Sequence, residues 1–292
     1  MRRRRIAALT LAPVSLIATS TTLTIAAAQT GGTATLDSSR GSVPHGERLT
    51  LRGSGAGAGE VAIEFRRAGG ERWSSVRSAA PDAAGEWSAR VRPRYSGSYR
   101  AIPTSRAATT PVPVRVRSRV NIHSKRYTVV GRKLKISGRA RPAAERPVTV
   151  RVGGKRLRTR ANGKGRFAVA WRAGKTGRFR PTAKAAGTKL AGAGKDRGRR
   201  VTVYRPASAS YYGPGLYGNR MACGGTLTPG TVGVAHKTLP CGTKVRLRHG
   251  SRTVTAPVVD RGPYAGNREF DLTAATKNKL GFGSTGTVLT SK

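Results

Sequence analysis

The chain has 292 residues, with 56 Lys and Arg against 12 Asp and Glu, and its formal net charge at pH 7 is +44. This length allows two or three domains of ordinary size and argues against a single globule. The chain has only two cysteines, Cys223 and Cys241, so we do not expect lipid attachment at the amino end.

The amino end predicts a secretory signal peptide over residues 1–28. Arg2 to Arg5 form a basic start, an apolar stretch runs to Ile25, and three alanines before Gln29 provide a small-residue cleavage site. A retained membrane anchor is the alternative, but Pro13 and several Ser and Thr residues dilute the apolar stretch. No later segment approaches the roughly 20 apolar residues that span a bilayer. We therefore expect an exported protein of the cell envelope or extracellular space, with no transmembrane span after signal removal.

Charge divides the chain into three parts. Residues 1–118 hold 18 Lys and Arg and 7 Asp and Glu, residues 119–205 hold 27 and 2, and residues 206–292 hold 11 and 3. The middle part is therefore the most basic, with a net charge of +25.

The first two parts look like repeats of one unit, here named module 1 (residues 31–118) and module 2 (residues 119–205). Segments of module 1 match segments of module 2 in the same order: Leu49-Thr50-Leu51-Arg52-Gly53 with Leu134-Lys135-Ile136-Ser137-Gly138, the series Val61, Ile63, Phe65 with Val148, Val150, Val152, Gly85-Glu86-Trp87 with Gly165-Arg166-Phe167, and Gly97-Ser98-Tyr99-Arg100 with Gly177-Arg178-Phe179-Arg180. Short alternating runs bounded by Gly, Pro and Asn predict an all-β sandwich in each module. The pattern resembles the immunoglobulin-like modules of bacterial surface proteins.

The solvent face of module 2 is predicted to be strongly basic, because Arg151, Arg156, Arg158 and Arg160 lie near one another in sequence. No helix-turn-helix, zinc finger or aromatic stacking platform accompanies them, and the three tryptophans (Trp73, Trp87, Trp171) occupy positions that suit a core. An anionic envelope polymer therefore fits this surface better than specific nucleic acid, since the attraction is Coulombic and independent of sequence. A merely solvated Arg-rich surface is the alternative.

The two cysteines lie within one compact segment of an exported protein, and we expect them to form a disulfide. Closing a loop of this length would stabilise the fold by about 3 kcal/mol in the chain-entropy model. A metal site is the competing possibility, but two Cys without a clustered pair of His form a weak ligand set. We expect no metal and no cofactor.

Residues 207–292, here named the C-terminal domain, contain four motifs in a fixed order. They are Ala209-Ser210-Tyr211-Tyr212-Gly213, Ala235-His236-Lys237-Thr238-Leu239-Pro240-Cys241-Gly242-Thr243, Val258-Val259-Asp260-Arg261-Gly262-Pro263-Tyr264 and Phe270-Asp271-Leu272-Thr273. Over residues 207–289 this set resembles the RlpA-like double-psi β-barrel, the family of septal ring lytic transglycosylases related to barwin and expansin domains. The resemblance implies a six-stranded barrel in an envelope protein whose substrate is a polysaccharide, most often peptidoglycan.

Two carboxylates carry the predicted chemistry. A lytic transglycosylase cleaves the MurNAc-GlcNAc bond without water, so one acid must protonate the leaving oxygen and then take the proton of the C6 hydroxyl as the 1,6-anhydro ring closes. A second carboxylate stabilises the oxocarbenium-like transition state, as in glycosidases. By the resemblance, Asp271 is assigned the proton transfers and Asp260 the charge stabilisation. Tyr264, Arg261, His236 and Thr226 are predicted to bind the glycan.

One departure from the family favours a different function. Transglycosylase members carry an acid in the loop before the Ala-His segment, whereas residues 222–235 contain none. Cys-Gly-Gly-Thr occupies this place and resembles the disulfide-bearing barwin and expansin branch, whose expansin-like members bind and loosen wall polymers without cleavage. A purely adhesive surface protein is a third possibility.

Structural roles are also open for three site residues. Asp260 could be a turn carboxylate that pairs with Arg261 or caps the Gly262-Pro263 turn. Asp271 could be the N-cap of a helix that begins at Leu272. His236 is expected to order its strand or bond to the backbone rather than act as a base, because no Ser or Cys nucleophile motif accompanies it. Tyr211, Tyr212 and Tyr217 could stack on sugars or fill the core.

Overall fold

The structure is a computed structural model that describes residues 33–292. The predicted signal peptide lies outside the described residues. The described chain is almost entirely β-structure with one short helix, so the all-β prediction is confirmed at this level. Within residues 33–292, no helix is long and apolar enough to cross a membrane.

Module 1 contains eight strands in two sheets. They are β1 (Asp37–Ser38), β2 (Ser42–Pro44), β3 (Leu49–Gly53), β4 (Val61–Arg67), β5 (Trp73–Ala79), β6 (Trp87–Val91), β7 (Gly97–Pro103) and β8 (Val112–Arg117). One sheet has the order β1-β3-β6 and the other β2-β8-β7-β4-β5. Alternate residues of these strands, among them Leu51, Ile63 and Ala101, form one buried core.

Module 2 contains nine strands before residue 200. They are β9 (Arg119–Ser124), β10 (Tyr127–Val129), β11 (Lys133–Arg141), β12 (Arg146–Val152), β13 (Lys155–Ala161), β14 (Arg166–Arg172), β15 (Gly177–Phe179), β16 (Thr182–Ala185) and β17 (Gly194–Arg197). One sheet has the order β14-β11-β9 and the other β13-β12-β16-β17. A second core lies between them, with Ile136, Val150 and Trp171 among its members.

Equivalent strands of the two modules pair in the same way. In module 1, β3 pairs with β6 and Gly53 lies opposite Trp87; in module 2, β11 pairs with β14 and Gly138 lies opposite Phe167. A Cβ atom on either glycine would lie 2.4 Å from the opposite aromatic ring, so only glycine fits beneath it. The matched Gly and aromatic positions therefore form the same packing contact in both modules.

The tryptophans differ in their surroundings. Trp87 and Trp171 are buried in the two cores, as predicted. Trp73 is only partly buried, and the guanidinium groups of Arg66 and Arg100 lie 4.7 Å and 4.4 Å from its ring centroid. Its predicted core position is therefore wrong, because β5 is an edge strand and exposes most of its residues.

The C-terminal domain is joined to module 2 by one long strand, β18 (Val201–Tyr212). Its first residues pair with β10 and β15 of module 2, and its later residues pair within the C-terminal domain. The predicted boundary at residues 205–207 therefore falls inside a continuous strand.

The remaining elements of the C-terminal domain follow β18. They are β19 (Val234–Ala235), β20 (Lys244–His249), β21 (Arg252–Asp260), β22 (Phe270–Thr273), α1 (Ala274–Leu280) and β23 (Thr285–Thr290). The strand order is β18-β22-β19-β21-β20-β23, and β23 also pairs with β18. The predicted hairpin at His249-Gly250 is confirmed, since β20 and β21 pair on either side of it.

Candidate functional site

Four residues on neighbouring strands form a row across the C-terminal sheet, here named the carboxylate row. Ser210 of β18 pairs with Asp271 of β22, Asp271 pairs with Ala235 of β19, and Ala235 pairs with Asp260 of β21. The register of β19 and β21 shifts between Val234 and Ala235, which brings Asp260 rather than Val259 opposite Ala235. Each strand step is about 4.8 Å, so the Cα atoms of the two aspartates lie roughly 10 Å apart. The small methyl group of Ala235 separates them. The strand pairing thus brings together the two carboxylates that the sequence singled out.

Asp271 is half-buried and faces away from the core. Its neighbours Phe270 and Leu272 are fully buried, and the alternation of the strand places Asp271 on the opposite side. The Ser210 hydroxyl donates a hydrogen bond of 2.8 Å to Asp271 Oδ1. The predicted alternative role as a helix N-cap is wrong, because Thr273 caps α1 and accepts from the Thr276 amide.

Burial raises the pKa of Asp271 above that of an ordinary Asp, and the negative charge of Asp260 adds to the increase. The Ser210 hydrogen bond and the positive charge of Arg268 act in the opposite direction and lower this pKa. Desolvation is the largest of these effects, because a charged carboxylate loses its hydration in the half-buried site. Asp271 therefore retains a proton to higher pH than an exposed Asp, which is what a general acid requires.

Asp260 is held by backbone amides at the end of β21. Its Oδ1 atom accepts hydrogen bonds from the amides of Ala222 at 2.8 Å and Arg261 at 2.9 Å. The Arg261 guanidinium does not pair with it; it donates to the carbonyls of His236 and Leu239 at 3.2 Å and 2.9 Å. Asp260 is therefore fixed in position by main-chain donors. Arg261 instead stabilises the loop after β19 through its hydrogen bonds to the two carbonyls.

The predicted disulfide between Cys223 and Cys241 is confirmed, with a Cα separation of 5.5 Å. It joins the loop that follows β18 to the loop that follows β19. The Cys223 amide also donates to the Val259 carbonyl at 3.2 Å, one residue before Asp260. The disulfide therefore anchors the loop whose Ala222 amide binds Asp260.

His236 uses one ring nitrogen to order its own loop. Nδ1 accepts hydrogen bonds from the amides of Thr238 and Leu239 at 3.1 Å and 3.0 Å, so the proton of the neutral ring is on Nε2. Nε2 lies 3.9 Å from Glu269 Oε1, and burial lowers the pKa of His236 although the Glu269 charge opposes this. Glu269 itself forms a two-pronged salt bridge with Arg205. This geometry fits the backbone-ordering role, and a glycan contact by His236 stays a prediction.

Tyr212 is a site residue that the sequence left undecided. It is two residues after Ser210 on β18 and therefore points to the face of the carboxylate row. Its hydroxyl is buried and makes no hydrogen bond of normal geometry within residues 33–292, although Asp260 lies near enough for a longer polar contact. Burial, followed by the charge of Asp260, raises the pKa of Tyr212. Its neighbour Tyr211 instead has the Lys277 ammonium 4.5 Å from its ring centroid.

The other predicted binding residues lie on loops. The Tyr264 side chain is 78% exposed and follows the buried Gly262-Pro263 pair. Thr226 is exposed and pairs with Arg220 across a tight turn. Tyr217 is also partly exposed. Tyr264 is thus accessible to a ligand, and glycan contacts by Tyr264, Arg261, His236 and Thr226 stay predictions.

Comparison with known proteins agrees with this geometry. Residues 206–290 match the DPBB_1 family, described as lytic transglycolase. The segment is therefore RlpA-like. It is 42% identical over 81 residues to the probable endolytic peptidoglycan transglycosylase RlpA of Synechocystis, which covers 27% of this chain and 25% of that protein. It is 40% identical over 81 residues to the endolytic peptidoglycan transglycosylase RlpA of Campylobacter jejuni, covering 27% of this chain and 30% of the relative.

The similarity is confined to this segment. A match to the probable RlpA of Aquifex aeolicus, at 34% identity over 90 residues, covers 30% of this chain and 40% of that protein. The chain thus spans about a quarter to two fifths of the length of these relatives. Among solved structures, the D0-D1 domain of intimin aligns with 59% of this chain and 99% of its own, but its TM-score of 0.24 is too low to indicate a shared fold.

Proposed function

We propose that this protein is an exported peptidoglycan lytic transglycosylase that cleaves MurNAc-GlcNAc bonds and leaves 1,6-anhydro products. The observation that carries the proposal is the half-buried Asp271, whose pKa is raised by burial, one small residue away from Asp260 in the carboxylate row. The names of the relatives of residues 206–290 support the same activity.

Asp271 performs the proton transfers in this proposal. Its carboxylic acid donates a proton to the glycosidic oxygen as the bond from that oxygen to C1 of MurNAc breaks. The resulting carboxylate then takes the proton of the C6 hydroxyl as O6 bonds to C1. Asp271 is thereby returned to its acid form, and no water is consumed. The Ser210 hydroxyl fixes Oδ1 and stabilises the charged intermediate state of the acid.

Asp260 provides a fixed negative charge in the proposed mechanism. The positive charge that develops at C1 and the ring oxygen is stabilised by a nearby carboxylate, as in glycosidases. Because two backbone amides hold Oδ1, the carboxylate needs no reorientation during the reaction. Tyr264 is proposed to stack on a sugar ring, and Arg261, His236 and Thr226 to contribute to glycan binding.

A non-catalytic wall-binding or wall-loosening protein is the second candidate function. It is favoured by the loop of residues 222–235, which contains no acid and is anchored by the Cys223–Cys241 disulfide, as in the barwin and expansin branch. In that case the carboxylate row would bind glycan without transferring a proton.

The finer architecture belongs to the same proposal. We propose that the six strands from β18 to β23 of the C-terminal domain close into a double-psi barrel, supported by the pairing of β23 with both β18 and β20. Modules 1 and 2 are proposed to be immunoglobulin-like sandwiches that hold this domain at the envelope, where module 2 contacts anionic polymers.

Mass spectrometry of soluble products tests the proposed activity. The mature protein is incubated with purified peptidoglycan, either intact or stripped of stem peptides, beside the Asp260→Asn and Asp271→Asn variants. Products ending in 1,6-anhydro-MurNAc that disappear with Asp271→Asn support the transglycosylase and identify its acid. If neither substrate yields products while the protein still sediments with the wall, the proposed activity is wrong and the wall-loosening function takes its place.

A further inference from the structure

Seven cations lie on one exposed face of module 2, here named the cationic face. It is the outer side of the sheet β13-β12-β16-β17, and its members are Arg151, Arg156, Arg158, Arg160, Lys184, Lys195 and Arg197. All seven are exposed, while the alternate residues of these strands, such as Val150 and Ala183, are buried in the core. The alternation of the strands therefore collects the cations on one side.

Like charges lie directly opposite one another on this face. Arg151 pairs across the strands with Arg156, and Lys184 pairs with Lys195. Arg156, Arg158 and Arg160 follow one another along the edge strand β13 at about 6.7 Å per step, with every second residue pointing outward. Like charges placed opposite each other in a sheet lower stability.

No carboxylate neutralises the cationic face. Among the described residues, no salt bridge involves any of its seven cations. Module 2 has two acids, and neither forms a salt bridge with these cations. Asp196 Oδ2 accepts from the Ile122 amide at 3.0 Å on the inner side of the sheet, and Glu145 lies before the first residue of β12. The uncompensated charge is therefore available to an external anion.

The equivalent surface of module 1 is different. Glu64 of β4, which matches Arg151 of β12 in the repeat, accepts a salt bridge from Arg100 at 2.7 Å. The other sheet of module 2 also places cations opposite one another, but the row Ser137, Ala168, His123 across its middle divides them into two groups. Its opposed pairs are Lys133 with Arg172, Arg139 with Arg166 and Arg141 with Arg119. The unbroken run of arginines along β13 is therefore found on the cationic face and not on the other sheet.

We infer that the cationic face is a binding surface for a flexible envelope polymer with repeating phosphodiester groups. Exposed Arg side chains bind phosphate oxygens in a bidentate manner, and a row of them along β13 suits a chain of anions. A flexible polymer can align its charges with the rows of a flat sheet. Nucleic acid fits less well, since no aromatic side chain on this face is available to stack with a base. The inference rests on the proposed location of module 2 at the envelope but not on the proposed catalysis by Asp271.

Fluorescence anisotropy with a labelled poly(glycerol phosphate) chain tests this inference. The full mature protein is compared with the variant Arg151→Gln, Arg156→Gln, Arg158→Gln, Arg160→Gln over a range of salt concentrations. A matched variant replaces four cations of the other sheet: Lys133→Gln, Lys135→Gln, Arg139→Gln and Arg172→Gln. If each of the four arginines neutralises one phosphate in the parent protein, the plot of log K against log salt should become less steep by about 3 in the first variant. We expect its affinity at low salt to fall at least tenfold, and that of the matched variant by less than about threefold.

Equal losses in the two variants would overturn the inference, because the attraction would then come from net charge. Tighter binding of a single-stranded DNA of equal charge, lost in the same variant, would also overturn it in favour of nucleic acid. A thermal melt guards against misfolding, and removal of the repulsion between Arg151 and Arg156 should leave the melting temperature equal or higher. If melting shows damage, the single variant Arg156→Gln replaces the quartet, with Lys133→Gln as its control. Muropeptide release from polymer-free peptidoglycan should be unchanged throughout.

Discussion

The cationic face and the carboxylate row are both built from residues paired across neighbouring strands, yet they treat charge in opposite ways. The cationic face places like charges in direct opposition and leaves them exposed to water. The carboxylate row puts Ala235 between Asp260 and Asp271 and half-buries the latter. Water and salt screen each cation of the first set, so this surface attracts an anion through the sum of its charges. Burial raises the pKa of Asp271, so this carboxylate acts as an individual group.

The largest expected effect lies in the carboxylate row. If Asp271 is the general acid, Asp271→Asn should reduce the rate of muropeptide release by about 10²- to 10⁴-fold, the usual contribution of such a group. The amide keeps the shape of the side chain and can still accept from Ser210, but it cannot transfer the proton. Product formation is measured by mass spectrometry under single-turnover conditions.

An exposed acid provides the control for this substitution. Asp37 of β1 is exposed in module 1, and Asp37→Asn should leave the rate unchanged. A reduction of less than about threefold in Asp271→Asn would exclude Asp271 as the acid and direct attention to Asp260.

A smaller effect is expected when the cationic face is given the charge pattern of module 1. Arg151→Glu places a carboxylate opposite Arg156, as Glu64 is placed beside Arg100. Binding of poly(glycerol phosphate) at low salt should weaken by roughly three- to tenfold, because one cation is lost and another is paired. Fluorescence anisotropy measures the change.

The reciprocal substitution Glu64→Arg sharpens this comparison. It raises the net charge of module 1 by two but leaves the cationic face of module 2 unchanged, so binding should stay within about twofold of the parent protein. A gain as large as the loss caused by Arg151→Glu would mean that net charge alone governs binding.

Most of the fold could be predicted from the sequence because its signals are local. Alternating apolar residues, the repeated Gly and aromatic positions, and the His249-Gly250 turn identify strands and a hairpin without long-range information. The continuity of β18 across the predicted boundary could not be predicted in this way. It depends on which strands pair with Val201–Tyr212, and pairing partners distant in sequence leave no local pattern.

The site was predicted only in part, for the same reason. The motifs identified Asp260 and Asp271, but the Ser210 hydrogen bond to Asp271 joins residues 61 positions apart. The N-cap prediction for Asp271 was wrong because β22 continues through Thr273 before the helix begins. Ser210 and Tyr212 could have been identified as site residues from the side-chain alternation of β18, which places them on one face and Tyr211 on the other.

A still smaller effect, on pH dependence, should follow from the loss of the Ser210 hydroxyl. This hydroxyl donates to Asp271 and lowers its pKa, so Ser210→Ala should raise that pKa. A general acid is active in its protonated form, and the alkaline limb of the rate profile should therefore move to higher pH. Ser208 of the same strand donates to the Asn267 carbonyl instead, so Ser208→Ala should leave the profile in place. An alkaline limb that stays in place in Ser210→Ala would mean that this limb does not report the titration of Asp271.

The smallest expected effect is on stability, and it tests the burial of Asp271 without any substrate. Burial raises the folded-state pKa of Asp271, so the folded protein holds this proton more tightly than the unfolded chain does. The resulting stability is fully present below the unfolded pKa and is lost as pH rises through the folded pKa. Asp271→Asn cannot ionise, and it should therefore melt at a higher temperature than the parent protein at neutral pH, with the difference vanishing in acid. Thermal melts from pH 3 to pH 8 measure this, and a difference that stays constant across the range would mean that the half-buried carboxyl does not titrate as its surroundings require.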